Sequence, residues 1–206
     1  MATTKGDRTR ARIVAAAAPL FNQRGYAGAS MTDLMAATGL EKGGIYRHFG
    51  SKDALALAAF DHAVTLHGAR IHSFVAAETG AVARLAAVGA AMASVFDDPI
   101  LPGGCPLLNT ATESDDAAGA SYAALRVRAQ AAMRQFLRYV ARIVEQGMAS
   151  GELTPGLDPR MEAAMIVATM EGAVMLTKLY DDPAFLRQAA LRIATHAARL
   201  ARTATS

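Results

Sequence analysis

The sequence has no tryptophan, a single cysteine and few aromatic residues, 6% of 206. Scarce aromatics beside abundant alanine disfavour a β-sandwich or barrel and favour helices packed closely through small side chains. One cysteine, Cys105, excludes an intrachain disulfide framework, and the N-terminus shows no basic segment followed by an apolar run of signal-peptide length, so a cytoplasmic location is expected. Arg, Asp or Glu interrupts every apolar region before about 18 residues, so no membrane span is expected. Catalytic signatures are missing too. There is no Gly-x-Ser-x-Gly, no phosphate-binding loop and no Cys/His set at metal spacing, and Glu113 and Glu171 have no evident partner. No catalytic residue, metal or cofactor is expected.

What is present is a 52% hydrophobic chain long enough to bury a substantial core, read here as all-α with about nine helices. The net charge is only +3, but it is unevenly spread. Residues 1–52 carry eight Lys/Arg against three Asp/Glu, and residues 53–206 carry thirteen against fifteen. A basic N-terminal quarter suits an anionic partner, because neutralising phosphates with Lys and Arg drives non-specific nucleic-acid affinity; a merely solvated basic arm is the alternative.

Apolar residues Ile13, Val14, Ala17, Leu20 and Phe21 recur at spacings of three and four, which predicts a helix over 8–24 that Gly25 ends and Pro19 bends. Ser30 is placed to cap the next, short helix with Asp33 completing an imperfect capping box; Leu34, Met35 and Ala37 form its apolar side and Gly39 its left-handed end. Leu40 then fills the corner before a second short helix over 41–49, with Ile45 and Phe49 facing inward. Gly50 ends that helix, and Ser51 caps a long one reaching about residue 78, whose apolar side is read as Leu55, Ala58, Ala59, His62, Leu66 and Ala69. Further helices are predicted over 81–96, 107–113, 117–148, 160–180 and 184–202, with a Gly/Pro loop over 97–106 and Leu125, Ala129, Met133, Phe136, Val140 and Ile143 buried on the longest.

Two short helices around Gly39, braced by a preceding one, follow the helix-turn-helix plan, in which the second helix enters the DNA major groove. With Ile45 and Phe49 committed to the interior, Lys42, the amides of Gly43 and Gly44, Tyr46, Arg47 and His48 are displayed toward bases or phosphates, with Thr32 on the preceding helix. Lys52, at the start of the long helix, is placed to meet a phosphate beside the positive end of the helix dipole. A solvated helix end is the alternative for these residues.

The run from Ile13 to Leu55, above all Leu40-Glu41-Lys42-Gly43-Gly44-Ile45-Tyr46-Arg47-His48-Phe49-Gly50-Ser51-Lys52-Asp53-Ala54-Leu55, resembles the DNA-binding region of the tetracycline-repressor family. The resemblance covers about the first quarter of the chain. It implies a DNA-binding domain over 1–52, continuing into the long helix from 51, and a ligand-binding and dimerisation domain over 53–206. It further implies a homodimer through the last two helices, a pseudo-palindromic double-stranded operator and a small-molecule inducer, here lipophilic or aromatic, that shifts the population toward heads mis-spaced for DNA, with the helix from Ser51 as lever. Tyr46, His48 and Lys52 match family phosphate contacts. Arg47 stands where a hydrophobic or aromatic residue or His is common, and could pair bidentately with guanine. Gly44 departs in the other direction, replacing a larger polar residue.

Outside that region, Met92, Phe96, Tyr122, Met133, Phe136, Met165, Met170 and Met175 are pocket candidates by chemistry, with ordinary core as the alternative. Cys105, in a Gly/Pro loop before a helix, is either a thiol sensor or an inert buried thiol. His62, His67 and His72, spaced by five, share no helical face and read as structural or solvent-facing. Arg134, Arg138 and Arg142 form a stripe read as a solvated face, with an acidic ligand as the alternative, and Ala164, Ala168, Gly172 and Ala173 offer a small-residue surface for a dimer, with interior packing as the alternative. The function read from all this is a ligand-responsive DNA-binding repressor, with an activator as the alternative because sequence does not fix the direction of control; the rival is a helical ligand-binding or thiol-sensing protein that does not act through an operator.

Overall fold

The computed structural model describes residues 4–113 and 120–202. Among these residues the chain forms nine α-helices: α1 (Lys5–Gly28), α2 (Met31–Thr38), α3 (Lys42–His48), α4 (Lys52–Ala76), α5 (Ala81–Ala93), α6 (Pro106–Glu113), α7 (Ala120–Ala149), α8 (Pro159–Tyr180) and α9 (Ala184–Leu200). A 3-10 turn at Val95–Asp97 follows α5. The expected start of α7 near 117 lies outside the described residues.

Local chemistry sets the boundaries of the first helices. Thr4 and Asp7 close a full capping box on α1, and Ser30 and Asp33 close another on α2, with both side-chain-to-backbone bonds present in each. Gly39 ends α2 at φ 67°, and Ser51 Oγ accepts from the Ala54 amide at the start of α4. The break in α1 falls at Gly25, where the sequence expects the helix to end: Gly25 has φ 72° and ψ 175°, after which one further turn runs to Gly28, and Pro19 lies within the helix. Only glycine adopts such angles freely.

The described residues fall into two compact units, one made of the chain up to His67 with Asp98–Gln130, the other of Gly68–Asp97 with the chain from Ala131 onward. The unit that holds the short helices also takes in α4 as far as His67, and α6. Ile13 and Ala17 of α1, Leu34 of α2, Ile45 of α3, Phe49, Leu55, Ala59 and Ala63 of α4, and Leu101 are buried together. Fully burying each large side chain contributes on the order of 1.5–3 kcal/mol, which is what holds α3 despite its seven residues.

In the second unit α5 packs on α8 and α9, with Leu85, Val88, Met92, Ile166, Val167, Met170, Val174, Ile193 and Ala197 in the core. Gly89 permits the close approach: a Cβ there would lie 3.2 Å from Cβ of Ile193. Glu152 caps α5, accepting from the amides of Ala81 at 2.6 Å and Val82 at 3.0 Å. Asp158 caps α8 through the Arg160 and Met161 amides, with Pro159 in the first turn, where its missing N–H costs nothing. A 22-residue helix as apolar as α8 has the length to cross a bilayer, but 44% of its apolar window is buried inside the protein, as a packing helix requires.

Several expected faces are corrected. On α4 the buried stripe is Leu55, Ala56, Ala59, Phe60, Ala63, His67, Ile71 and Val75, while Ala69 is exposed. Of the expected residues, Leu55 and Ala59 are in the core and Ala58 and Leu66 pack against it, while alanine contributes too little contrast to fix the rest of the face. Ala37 of α2 is likewise exposed, and of the small residues on α8, Ala168 is exposed but Ala173 is buried. Met165 and Met175 lie on the surface, at 57% and 51% exposure, so neither lines an interior pocket. His67 is buried, His62 is half-buried, and His72 is exposed against Tyr139.

Candidate nucleic-acid interface

α3 is a short rod with an inner and an outer side. Ile45 and Phe49 are each 1% exposed, whereas Lys42, Gly43 and Arg47 are exposed and Gly44, Tyr46 and His48 are half-buried. Glu41 and Phe49, counted into this helix from the sequence, are its two caps, and the Gly44 amide donates to the Glu41 carbonyl at 2.8 Å. That bond leaves Gly43 as the freer of the two amides. Nothing lies within 4 Å of the Cβ position at Gly43, so the backbone there is open to close approach. Lys42 Nζ sits 5.9 Å from the centroid of the Tyr46 ring, which holds cation and phenol on one face.

Thr32 is exposed in the first turn of α2. Below it, Arg24 of α1 pairs with Asp33 at 2.6 Å, joining the brace helix to the cap of α2. Hydrogen bonds from Ser30, and then the Arg24 guanidinium, hold the Asp33 carboxyl below its ordinary range.

The structure adds residues that local patterns do not reveal. Arg10 of α1 places its guanidinium 4.0 Å over the Phe49 ring and donates to the His48 carbonyl at 2.7 Å, clamping the C-terminal end of α3. Tyr26 stacks on Phe21, meets Tyr122 edge-on, and donates through its hydroxyl to Asp53. Lys52 turns inward to donate to the Tyr26 carbonyl at 2.6 Å, with its ammonium 4.5 Å over the same ring. An ammonium has three donors, so this bond occupies one and leaves two. Glu113, partnerless by sequence, accepts from the amides of Tyr26 and Ala27. The partners of Arg10, Lys52 and Glu113 lie 38, 26 and about 87 residues away, beyond the reach of any helical repeat.

Elsewhere, Cys105 is fully buried just before α6. Of the remaining pocket candidates, Met92 and Met170 are fully buried and Phe96, Tyr122, Met133 and Phe136 half-buried. A small cavity in the first unit is lined instead by residues such as Phe21, Asn22, Tyr26, Phe60, Asn109 and Glu113. Burial pushes the Tyr122 hydroxyl up, as does the neighbouring Glu113 carboxylate. Arg134, Arg138 and Arg142 are all exposed. Among the described residues no group of three or more His, Cys, Asp or Glu is arranged to hold a metal ion.

Comparison with known proteins agrees with this geometry along the chain. Residues 13–59 match the family described as bacterial regulatory proteins, tetR family, and residues 81–193 match the tetracyclin repressor-like C-terminal domain. The chain is 29% identical over 154 residues to the HTH-type transcriptional repressor ComR of Escherichia coli, covering 74% of this chain and 71% of that one. A TetR transcriptional regulator from Chloroflexus aurantiacus has the same fold, with a TM-score of 0.88 and 44% identity over 97% of this chain and 99% of that one. A TetR-family regulator from Cytophaga hutchinsonii superposes with a TM-score of 0.89 at 32% identity, over 98% and 100% of the two chains. With an outward-facing basic helix on a buried apolar anchor and both halves of the chain matched, the protein belongs to the tetR family of transcriptional regulators and is a ligand-responsive, DNA-binding regulator.

Proposed function

We propose that the protein acts as a homodimer whose two α3 helices enter successive major grooves of a pseudo-palindromic operator, and that a lipophilic or aromatic small molecule releases it. The observation that carries this reading is the division of α3 into a buried side, Ile45 and Phe49, and an outer side bearing Lys42, Tyr46 and Arg47. In the proposed complex Lys42, Tyr46 and His48 meet phosphates and fix the register. Arg47 reads a guanine edge, worth about 1–3 kcal/mol of discrimination. Gly43 brings the backbone close to the duplex, and Thr32 and Lys52 flank the groove, Lys52 through the donors left by its bond to Tyr26.

Dimerisation through α8 and α9 is supported by an apolar stripe. Met161, Met165, Met175 and Leu179 recur on α8 at multiples of a helical turn, 51–69% exposed, and Leu191 on α9 is 61% exposed. Exposure of that many large apolar side chains is costly in water and is relieved by a second copy. A cytoplasmic location accompanies this role.

Selection of bound fragments from random or genomic duplex DNA tests the proposal. The expected product is an inverted repeat with half-sites about one helical turn, some 34 Å, apart or a multiple of it. Recovery of no common sequence would reject operator reading.

A further inference from the structure

The turn that closes α1 depends on a carboxylate from another helix. Because Gly25 departs from helical angles, the amides of Tyr26 and Ala27 stand at the start of a new turn. Glu113, the last residue of α6, receives both: Oε2 accepts from the Tyr26 amide and Oε1 from the Ala27 amide, each at 2.8 Å. The fit is close enough that a Cβ on Gly25 would lie 2.7 Å from either oxygen. The Tyr122 hydroxyl donates to Oε1 at 3.3 Å, steadying the carboxylate from α7.

This turn joins the parts of the reading head. Ala29, fully buried, donates back to the Gly25 carbonyl at 3.2 Å, and the next residue, Ser30, caps α2. On its other side the Tyr26 carbonyl receives Lys52, and the Tyr26 hydroxyl donates to Asp53, so the turn also grips the first residues of α4. The chain between these two grips is α2, the corner at Gly39 and α3. Whatever holds the Tyr26 turn therefore holds both ends of the DNA-contacting segment.

We propose that Glu113 is a positioning residue for operator binding: its carboxylate fixes the turn between α1 and α2, and through it the pose of α3, without touching DNA. The inference rests on the reading of α3 as the operator-contacting helix. A mis-posed α3 loses base contacts, which demand angular precision, more than it loses phosphate attraction, which does not. The effect is thus expected on operator DNA and not on random duplex.

The test uses the full chain with Glu113→Ala, which removes both acceptors, and Glu113→Gln, which keeps the shape and one acceptor oxygen. Expected results are operator affinity at least tenfold lower for the Ala variant and intermediate for the Gln variant, with random-duplex affinity within twofold of wild type. Exchange of the Tyr26 and Ala27 amides, followed by NMR without DNA, should be slow in wild type and accelerated in both variants, while the Ile13 and Ala17 amides stay protected. The proposal is overturned if the Ala variant keeps operator affinity within twofold, if it loses operator and random affinity equally, or if those two amides exchange freely in wild type. Should the Ala variant not fold, an unchanged Gln variant overturns it equally. The exchange arm needs no DNA, so it fails independently of the reading of α3.

Discussion

Lys52 Nζ stands 2.6 Å from the carbonyl oxygen of Tyr26 and 4.5 Å above the ring of that same residue, so a lysine that the sequence assigns to phosphate also holds the reading head together. Replacing it therefore has two effects. Lys52→Met should destabilise the protein by about 1.5–3 kcal/mol, the usual worth of a hydrogen bond from a charged group, as well as weaken DNA binding. Lys42→Met, whose ammonium sits over the face of Tyr46, should weaken DNA binding with stability changed by less than about 0.5 kcal/mol. Urea unfolding of the two variants separates these roles; equal unfolding midpoints would show that the Tyr26 tie carries no energy.

Arg47 and Lys42 should differ on DNA. Arg47→Ala is expected to relax the preference at one operator position by about 1–3 kcal/mol, whereas Lys42→Ala should weaken all sequences alike and lower the salt slope by about one unit. Binding to a set of single-position operator variants reads the difference. A uniform loss in Arg47→Ala would reassign it to phosphate.

The Ser30–Asp33 box makes the head acid-sensitive in a defined direction. Since the Ser30 hydrogen bonds and Arg24 hold the Asp33 carboxyl below the ordinary 3.8, its contribution to folding is complete above that value and disappears as pH falls through the lower, folded-state value. Unfolding midpoints at pH 6 and pH 3 should therefore differ less in Asp33→Asn than in wild type. Ser30→Ala, which removes the cap, should cost about 1 kcal/mol at pH 6.

Gly43 distinguishes a structural from a recognition role for the start of α3. Space around it is open, so Gly43→Ala should stabilise the protein by about 0.5–1 kcal/mol through helix propensity. If the backbone approaches DNA there, operator affinity falls while the melting temperature rises. A rise in both would place the duplex away from Gly43.

Much of the reading head was legible because its determinants are local. Ser30 with Asp33, Gly39, Ile45 with Phe49, and Ser51 each act within about four residues, and the structure places each as the spacing required. The tie of Lys52 to Tyr26, the clamp of Arg10 on Phe49 and the carboxylate of Glu113 were not legible, because nothing in a helical repeat links residues so far apart in the chain. The second unit repeats the device: Gly80, at φ 83°, precedes two amides held by Glu152, some 70 residues on. A glycine at positive φ just before a helical turn thus signals that the first amides of that turn need a partner, but not which carboxylate supplies it. On α4, Leu55 and Ala59 are legible as core, whereas the burial of Phe60 and the exposure of Ala69 are not, since alanine-rich stretches mark their buried side weakly.

Salt titration of DNA binding tests the central claim most directly. With the selected operator and a random duplex of equal length, wild-type protein should show log affinity falling linearly with log salt by about 0.9 for each phosphate contacted, and the operator should remain the tighter ligand throughout. Binding that ignores salt, or that treats the two duplexes alike across the whole range, would contradict it.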